Sequence, residues 1–213
     1  MNKNYAKRSV YPDKSSENAA SALIACLNYF YPLNAGIEEF LKKHTYPVFF
    51  SKGKLLLKAG QVCEHVYFIQ YGAVRGFIKE GKKDITTWIT AENELVTSIS
   101  SLDNVDTALE NMQATEDCYL LALNYADIRI LYTKFPEFNI VSRKLLQQYY
   151  RDAEGRAYIA RLRNAENKYK YFLKNHSRLA NRIPLKYIAS FLGVTLETLS
   201  RVRKKISSGS EKI

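Results

Sequence analysis

IPLKYIASFLGVTLETLSRVRKKI, residues 183–206, holds two short runs of helical apolar spacing joined at a glycine, and it closes on a basic cluster. Counted from Leu185, the residues Ile188, Ala189, Leu192, Val194, Leu199 and Val202 fall where two steeply crossing helices must touch. Ala189 permits the close approach. Gly193 turns the chain within three or four residues because it tolerates positive φ. Thr195 brings a hydroxyl that accepts backbone N–H groups at the start of the second helix. The stretch therefore predicts a helix-turn-helix whose second helix keeps Thr198, Ser200, Arg201, Arg203, Lys204 and Lys205 on its outer faces, where duplex DNA can meet them. An ordinary amphipathic hairpin would share the apolar spacing but needs neither the turn glycine nor the cationic end in the same register.

Charge points the same way. The chain carries 32 Lys and Arg against 21 Asp and Glu, and residues 1–135 hold 15 of each, so the whole net charge of +11 belongs to residues 136–213. A balanced unit joined to a cationic one is expected when only the second must lie beside phosphates.

The 213 residues leave room for a unit of about 130–150 residues and one of about 50–60, each able to bury a core. There is no run of 18 apolar residues, and the polar start MNKNYAKRSVYPDKSSEN has no hydrophobic signal region behind it, so a cytoplasmic protein without a membrane segment is expected. Cys26, Cys63 and Cys118 are isolated, which excludes a disulfide framework or an iron–sulfur cluster and reads as reduced thiols. His44, His65 and His176 lack a second imidazole at ligand spacing, so no metal site and no catalytic set is expected.

Ahead of the helix-turn-helix, residues 1–18 read as a flexible tail, and 19–44 carry helical spacing in two pieces broken at Pro32. From Tyr46 the period becomes two. Eight short runs follow, Pro47–Phe50, Leu55–Lys58, Val66–Gln70, Ala73–Lys79, Ile85–Thr90, Leu95–Ser98, Leu109–Ala114 and Cys118–Asn124, with glycine turns among their separators. Short strands at such spacing predict an antiparallel double-sheet roll. Helical period returns after Asn124, and Pro136 opens a helix to about Leu162. Its stripe of Phe138, Val141, Leu145, Tyr149, Asp152, Arg156, Ile159 and Leu162 would be roughly 36 Å long. So long a stripe calls for a second copy of the same helix, with Asp152 and Arg156 setting register. A helix folded wholly back on its own chain is the other reading of the stripe.

The order of helix, roll, long helix and helix-turn-helix resembles the Crp/Fnr superfamily of transcription regulators over residues 37–206, most of the chain. The likeness rests on FSKGKLLLKAGQVCEHVYFIQYGAVRGFIK, residues 50–79, and LGVTLETLSRVRKKI, residues 192–206. It implies an α+β chain with an N-terminal cyclic-nucleotide-binding-like jelly roll, a long dimerisation helix and a C-terminal DNA-binding unit. The expected division is tail 1–18, sensor roll 19–135, long helix 136–163 and reader 164–213.

Where members of that family open the recognition helix with Arg-Glu-Thr-x-x-Arg, this chain has Leu196-Glu197-Thr198-Leu199-Ser200-Arg201. Base contacts are expected from Leu196, Glu197 and Arg201. Glu197 can accept from a cytosine amino group, Arg201 can fork onto guanine, and Leu196 can meet only a thymine methyl. Phosphate contacts are expected from Thr195, Thr198, Arg203, Lys204 and Lys205. The short remainder SSGSEKI leaves no room for the two-stranded wing the family places after this helix. In the roll, the family's Gly-Glu and Arg-Ser segments for cyclic AMP are replaced by Ala91-Glu92-Asn93-Glu94-Leu95 and Asp106-Thr107-Ala108-Leu109-Glu110, and no arginine lies between Gly76 and Ile128. An enclosed phosphate needs such a cation. Cyclic AMP is therefore not the expected effector, no cofactor is expected, and Glu94 and Thr107 are the candidate residues of an effector pocket.

The expected partners are a second copy, double-stranded DNA with a pseudo-palindromic site, and RNA polymerase. Two rival readings are a DNA binder whose roll is only a scaffold and a cupin-like enzyme. The second needs several imidazoles on adjacent strands, and the roll offers only His65.

Overall fold

The computed structural model describes residues 16–102 and 106–209. Two helices, α1 (Ser16–Phe30) and α2 (Ala35–His44), precede eight strands. Residues 16–18 thus open α1 instead of continuing the expected tail. The rest of that tail, residues 1–15, lies outside the described residues. Asn34 caps α2, its side chain accepting the Ile37 N–H at 2.9 Å.

The strands are β1 (Tyr46–Phe50), β2 (Leu55–Leu57), β3 (His65–Tyr71), β4 (Val74–Glu80), β5 (Lys83–Thr90), β6 (Leu95–Val96), β7 (Asn111–Ala114) and β8 (Cys118–Asn124). They form two antiparallel sheets of order β1-β8-β3-β6 and β2-β7-β4-β5, the double-sheet roll expected from the period-two runs. Alternation along β3 and β8 sends Ile69, Leu120 and Cys118 between the sheets, where Val74, Met112 and Ala114 meet them. Phe68, Leu121 and Leu123 face the other way, onto Leu23, Leu27, Ile37 and Leu41 of the first two helices.

After β8 come α3 (Tyr125–Lys134), the long α4 (Phe138–Arg161), α5 (Ala165–His176), a 3-10 turn (Ser177–Leu179), α6 (Leu185–Leu192) and α7 (Leu196–Gly209). The apolar stripe on α4 is used by the chain itself. Phe138 and Val141 join the core beneath the first sheet, Leu145 packs against it, and Ile159 is buried with the reader helices. The seam expected to carry Asp152 and Arg156 to a partner thus faces this chain's own roll and reader. Helical periodicity marks which face is buried but not what buries it. A different face of α4 stays open at Arg143, Leu146, Tyr150 and Ala157, with the half-buried Ala153 between them at steps of three and four. Leu146 is 57% exposed and Tyr150 68%.

The third core belongs to α5, α6 and α7, built on Tyr169, Phe172, Ile188, Ala189, Leu192 and Leu199, and it also takes in Ala73 and Ile89 of the roll. The reader is therefore packed on the second sheet, along β5.

Candidate nucleic-acid interface

Crossing of α6 and α7 follows from the residues between them. Gly193 sits at φ 62°, ψ 42°, and its N–H and that of Val194 close onto the last carbonyls of α6. That left-handed conformation suits glycine. Lys168, only 8% exposed, donates its ammonium to the Leu192 carbonyl at 2.8 Å and so caps the same helix end. Thr195 is the cap expected for α7: its hydroxyl oxygen accepts the Thr198 N–H at 3.1 Å. Leu199, Val202 and Ile206 turn inward.

The opposite face of α7 is open. Leu196, Glu197, Ser200, Arg201 and Lys204 are exposed, and Glu197 and Arg201 lie one turn apart on the same side. The Glu197 carboxyl is held below its ordinary range by its own backbone N–H, by the Thr195 hydroxyl and by the charge of Arg201, which favours its ionised, hydrogen-bond-accepting form. Thr195 is exposed and Thr198 half-buried, with their hydroxyls 3.0 Å apart. Two of the expected phosphate contacts are tied to the reader's own scaffold. Arg203 donates to Asn181 at 3.0 Å, and Lys205 pairs with Glu166 at 2.7 Å. Together with Lys170, Lys205 pulls the Glu166 carboxyl down to about 2. α7 runs on to Gly209, so Ser207, Ser208 and Gly209 extend the helix; residues 210–213 lie outside the described residues.

Sequence reading missed the reader's anchorage on the roll. Ser190 of α6 accepts the Thr86 N–H at 2.9 Å and donates to the Asp84 carbonyl at 3.0 Å. Beside it Arg75, 1% exposed, donates to Gln113, Thr86 and Asp84 and lies between the Phe77 and Tyr187 rings, 4.1 and 3.8 Å from their centroids. Farther along, Arg182 forks onto Glu92 at 2.6 and 2.9 Å and also bonds Glu116. Burial pushes the Glu92 carboxyl up, but Arg182 and the Gly72 N–H outweigh it and hold the group below its ordinary value.

A cavity of about 1230 Å³ opens where the roll, α4 and the reader meet. Trp88 forms part of its wall, lying against Gly76, where there is no space for a Cβ, and donating to Glu110 at 2.7 Å. Glu94 lines the cavity; burial first, then the nearby charge of Asp152, raises its carboxyl above the usual value. Thr107 is exposed on the loop ahead of β7 and is not in the lining. Arginines do reach this space, but from the helical side, as Arg151, Arg156, Arg178 and Arg182. The histidines serve local contacts: His44 bonds Asp127, His65 bonds Tyr46, and His176 packs on Phe172 and Phe191. Burial lifts the Cys118 thiol to about 12. Among the described residues no helix is long and apolar enough to cross a membrane.

Residues 47–135 match the cyclic nucleotide-binding domain family. No curated protein matches the sequence. Among solved structures, the chain is similar to FixK2 from Bradyrhizobium japonicum, with 18% identity, coverage of 78% of this chain and 86% of that one, and a TM-score of 0.68. The c-di-GMP-responsive global regulator CLP of Xanthomonas campestris shares 16% identity over 83% of this chain and 93% of its own, with a TM-score of 0.65. A transcriptional regulator assigned to the Crp/Fnr family from Eubacterium rectale aligns at 14% identity over 85% and 88%, also at 0.65. At these identities the likeness is one of fold.

Proposed function

We propose, from the premise that residues 47–135 belong to the cyclic nucleotide-binding domain family and that the chain has the fold of the Crp/Fnr regulators, that the protein is a homodimeric, sequence-specific DNA-binding regulator of transcription. The observation that carries this reading is the exposed face of α7. Glu197 and Arg201 are exposed one turn apart at a capped helix N-terminus, backed by Leu199 and Val202, on the part of the chain that holds all the net charge.

Arg201 then forks onto guanine O6 and N7, Glu197 accepts from a cytosine amino group, and Leu196 lies against a base edge. Each good polar pair is worth about 1–3 kcal/mol of discrimination. Lys204, Thr195 and Thr198 position the helix on phosphates, with Arg203 and Lys205 joining once they leave Asn181 and Glu166. A two-fold partner docks along the open face of α4, through Leu146 and Tyr150. It sets two copies of α7 in successive major grooves about 34 Å apart, on a pseudo-palindromic site. The boundary between sensor and reader falls at the break between Arg161 and Ala165. An effector in the cavity would touch roll, α4 and reader together and so bias their arrangement. The Asp106-Thr107 pair in place of the family's Arg-Ser segment favours an effector other than cyclic AMP.

Selection of duplexes from a random pool tests the reading. The expected result is a two-fold-symmetric consensus whose preference at one base pair per half-site disappears in Arg201→Ala, while Lys204→Ala weakens binding to all sequences alike. Equal, sequence-blind losses from both variants refute it. If the roll is only a scaffold, no small molecule changes the affinity for the selected site.

A further inference from the structure

The β4–β5 hairpin ends in Lys79-Glu80-Gly81-Lys82-Lys83-Asp84, a tight turn with Gly81 at φ 59° and Glu80 paired with Lys83. All six residues are exposed. Asp84 is already matched by the guanidinium of Arg75 at 2.8 Å. Three exposed lysines thus lie within five residues at one turn.

The segment leading into and through α6 runs along β5 in the opposite direction: Arg182 meets Glu92 beyond the end of β5, and Ser190, near the end of α6, meets Thr86 and Asp84 near its start. Continued two or three residues further, this course brings the Gly193 turn and the beginning of α7 level with the hairpin tip. The hairpin that bonds Ser190 is thus three residues of chain from the Gly193 turn that leads into α7, at the end carrying Leu196, Glu197 and Arg201.

We propose that the hairpin tip is a phosphate-binding arm: Lys79, Lys82 and Lys83 contact the DNA backbone flanking the base pairs read by α7. The sensor roll thereby supplies backbone contacts of the kind a wing would make. Ammonium groups on flexible stems suit phosphates and carry no base readout. Ser190 and Arg75 hold the arm at a fixed distance from the reader. The inference rests on the DNA-reading function proposed above.

The test measures binding of the full chain to its selected duplex across a salt series. Each neutralised phosphate contributes about 0.9 to the slope of log affinity against log salt. For Lys82→Ala/Lys83→Ala the slope falls by roughly 2 per subunit, affinity drops roughly 60-fold per subunit at about 0.1 M salt, and the order of preferred sequences is unchanged. Lys42→Ala/Lys43→Ala, which removes the same charge from the exposed side of α2, leaves the slope unaltered; an equal fall in both variants would mean a net-charge effect and overturn the arm. An unchanged slope in the hairpin variant, with Arg201→Ala still losing its base preference, refutes the arm and leaves the reading function standing. Unchanged DNA binding with weakened transcription by purified RNA polymerase assigns the lysines to a protein surface instead, which also overturns it. Failure to select any sequence removes the reading function and the arm together.

Discussion

The Tyr149 hydroxyl makes two backbone hydrogen bonds to one residue, accepting the Leu95 N–H and donating to the Leu95 carbonyl, both at 2.9 Å. β6 is only two residues long and pairs with β3 at Tyr67 and Phe68 alone, so a side chain from α4 completes its ladder. Burial, followed by the charge of Glu94, moves the phenol well above its ordinary value, so it stays protonated and both bonds persist across the neutral range.

Tyr149→Phe removes the hydroxyl and strands both groups of Leu95 beside the cavity. Leaving buried polar groups without partners costs about 1–3 kcal/mol, and for a chain of this size each kcal/mol lowers Tm by about 2–4 °C. Calorimetry should show that drop, with faster amide exchange at Leu95 and Val96. An unchanged Tm would mean that water replaces the hydroxyl at no cost.

The bridge from Arg182 to Glu92 and Glu116 should set how firmly the reader sits on the roll. Its side chains are about 70% covered, so its worth is that of a partly exposed pair, about 1 kcal/mol. A double-mutant cycle on Arg182→Ala and Glu92→Ala should return a coupling of about that size, with extra proteolytic cutting between α4 and α6. Because the folded Glu92 carboxyl titrates below its ordinary value, this contribution is present above that value and is lost as pH falls through the folded one. Coupling that stays constant through the acid range would contradict the pair.

Glu94 works in the opposite sense. Burial and Asp152 raise its folded pKa above the ordinary 4.5, so the proton is bound more tightly in the folded chain. The group favours folding below its ordinary value, and that favour disappears as pH rises through the folded one. Glu94→Gln, uncharged throughout, should therefore raise Tm relative to the parent chain at about pH 7.5 and match it at about pH 4. A lower Tm at the higher pH would show that the carboxylate has a stabilising partner.

Patterns with a local cause were legible in the amino-acid order. Period-two runs bounded by Gly72 and Gly81 marked β3, β4 and β5 within a residue or two, and Gly193 and Thr195 marked the turn and cap of the reader. Contacts between distant segments left no such trace. Arg182 and Lys168 lie in a stretch crowded with basic residues, where a charge count cannot separate a guanidinium clamped by Glu92 or an ammonium capping α6 from a cation facing phosphate. Arg75, close to Phe77 in sequence, gave no sign that Tyr187 would cover its other side. On α4 the spacing of Phe138, Val141 and Ile159 was correctly apolar, yet the partner that buries them is this chain's own roll and reader.

That reassignment alters what should hold two copies together. With the Phe138–Ile159 stripe already covered, a partner helix has to use Leu146, Tyr150 and the small residues Ala153 and Ala157, whose three-and-four spacing suits a left-handed pair. In a two-fold arrangement each substitution counts twice. Leu146→Asp removes a buried aliphatic contact and sets carboxylates in the seam of both subunits, so the dimer dissociation constant should rise by roughly 100-fold or more, read by sedimentation or light scattering across a dilution series. Asp152→Ala, on the face turned toward the roll, should leave that constant unchanged. The reverse outcome, a dimer indifferent to Leu146 and weakened by loss of Asp152, would return the seam to the stripe read from the sequence and would require α4 to leave its own roll when it pairs.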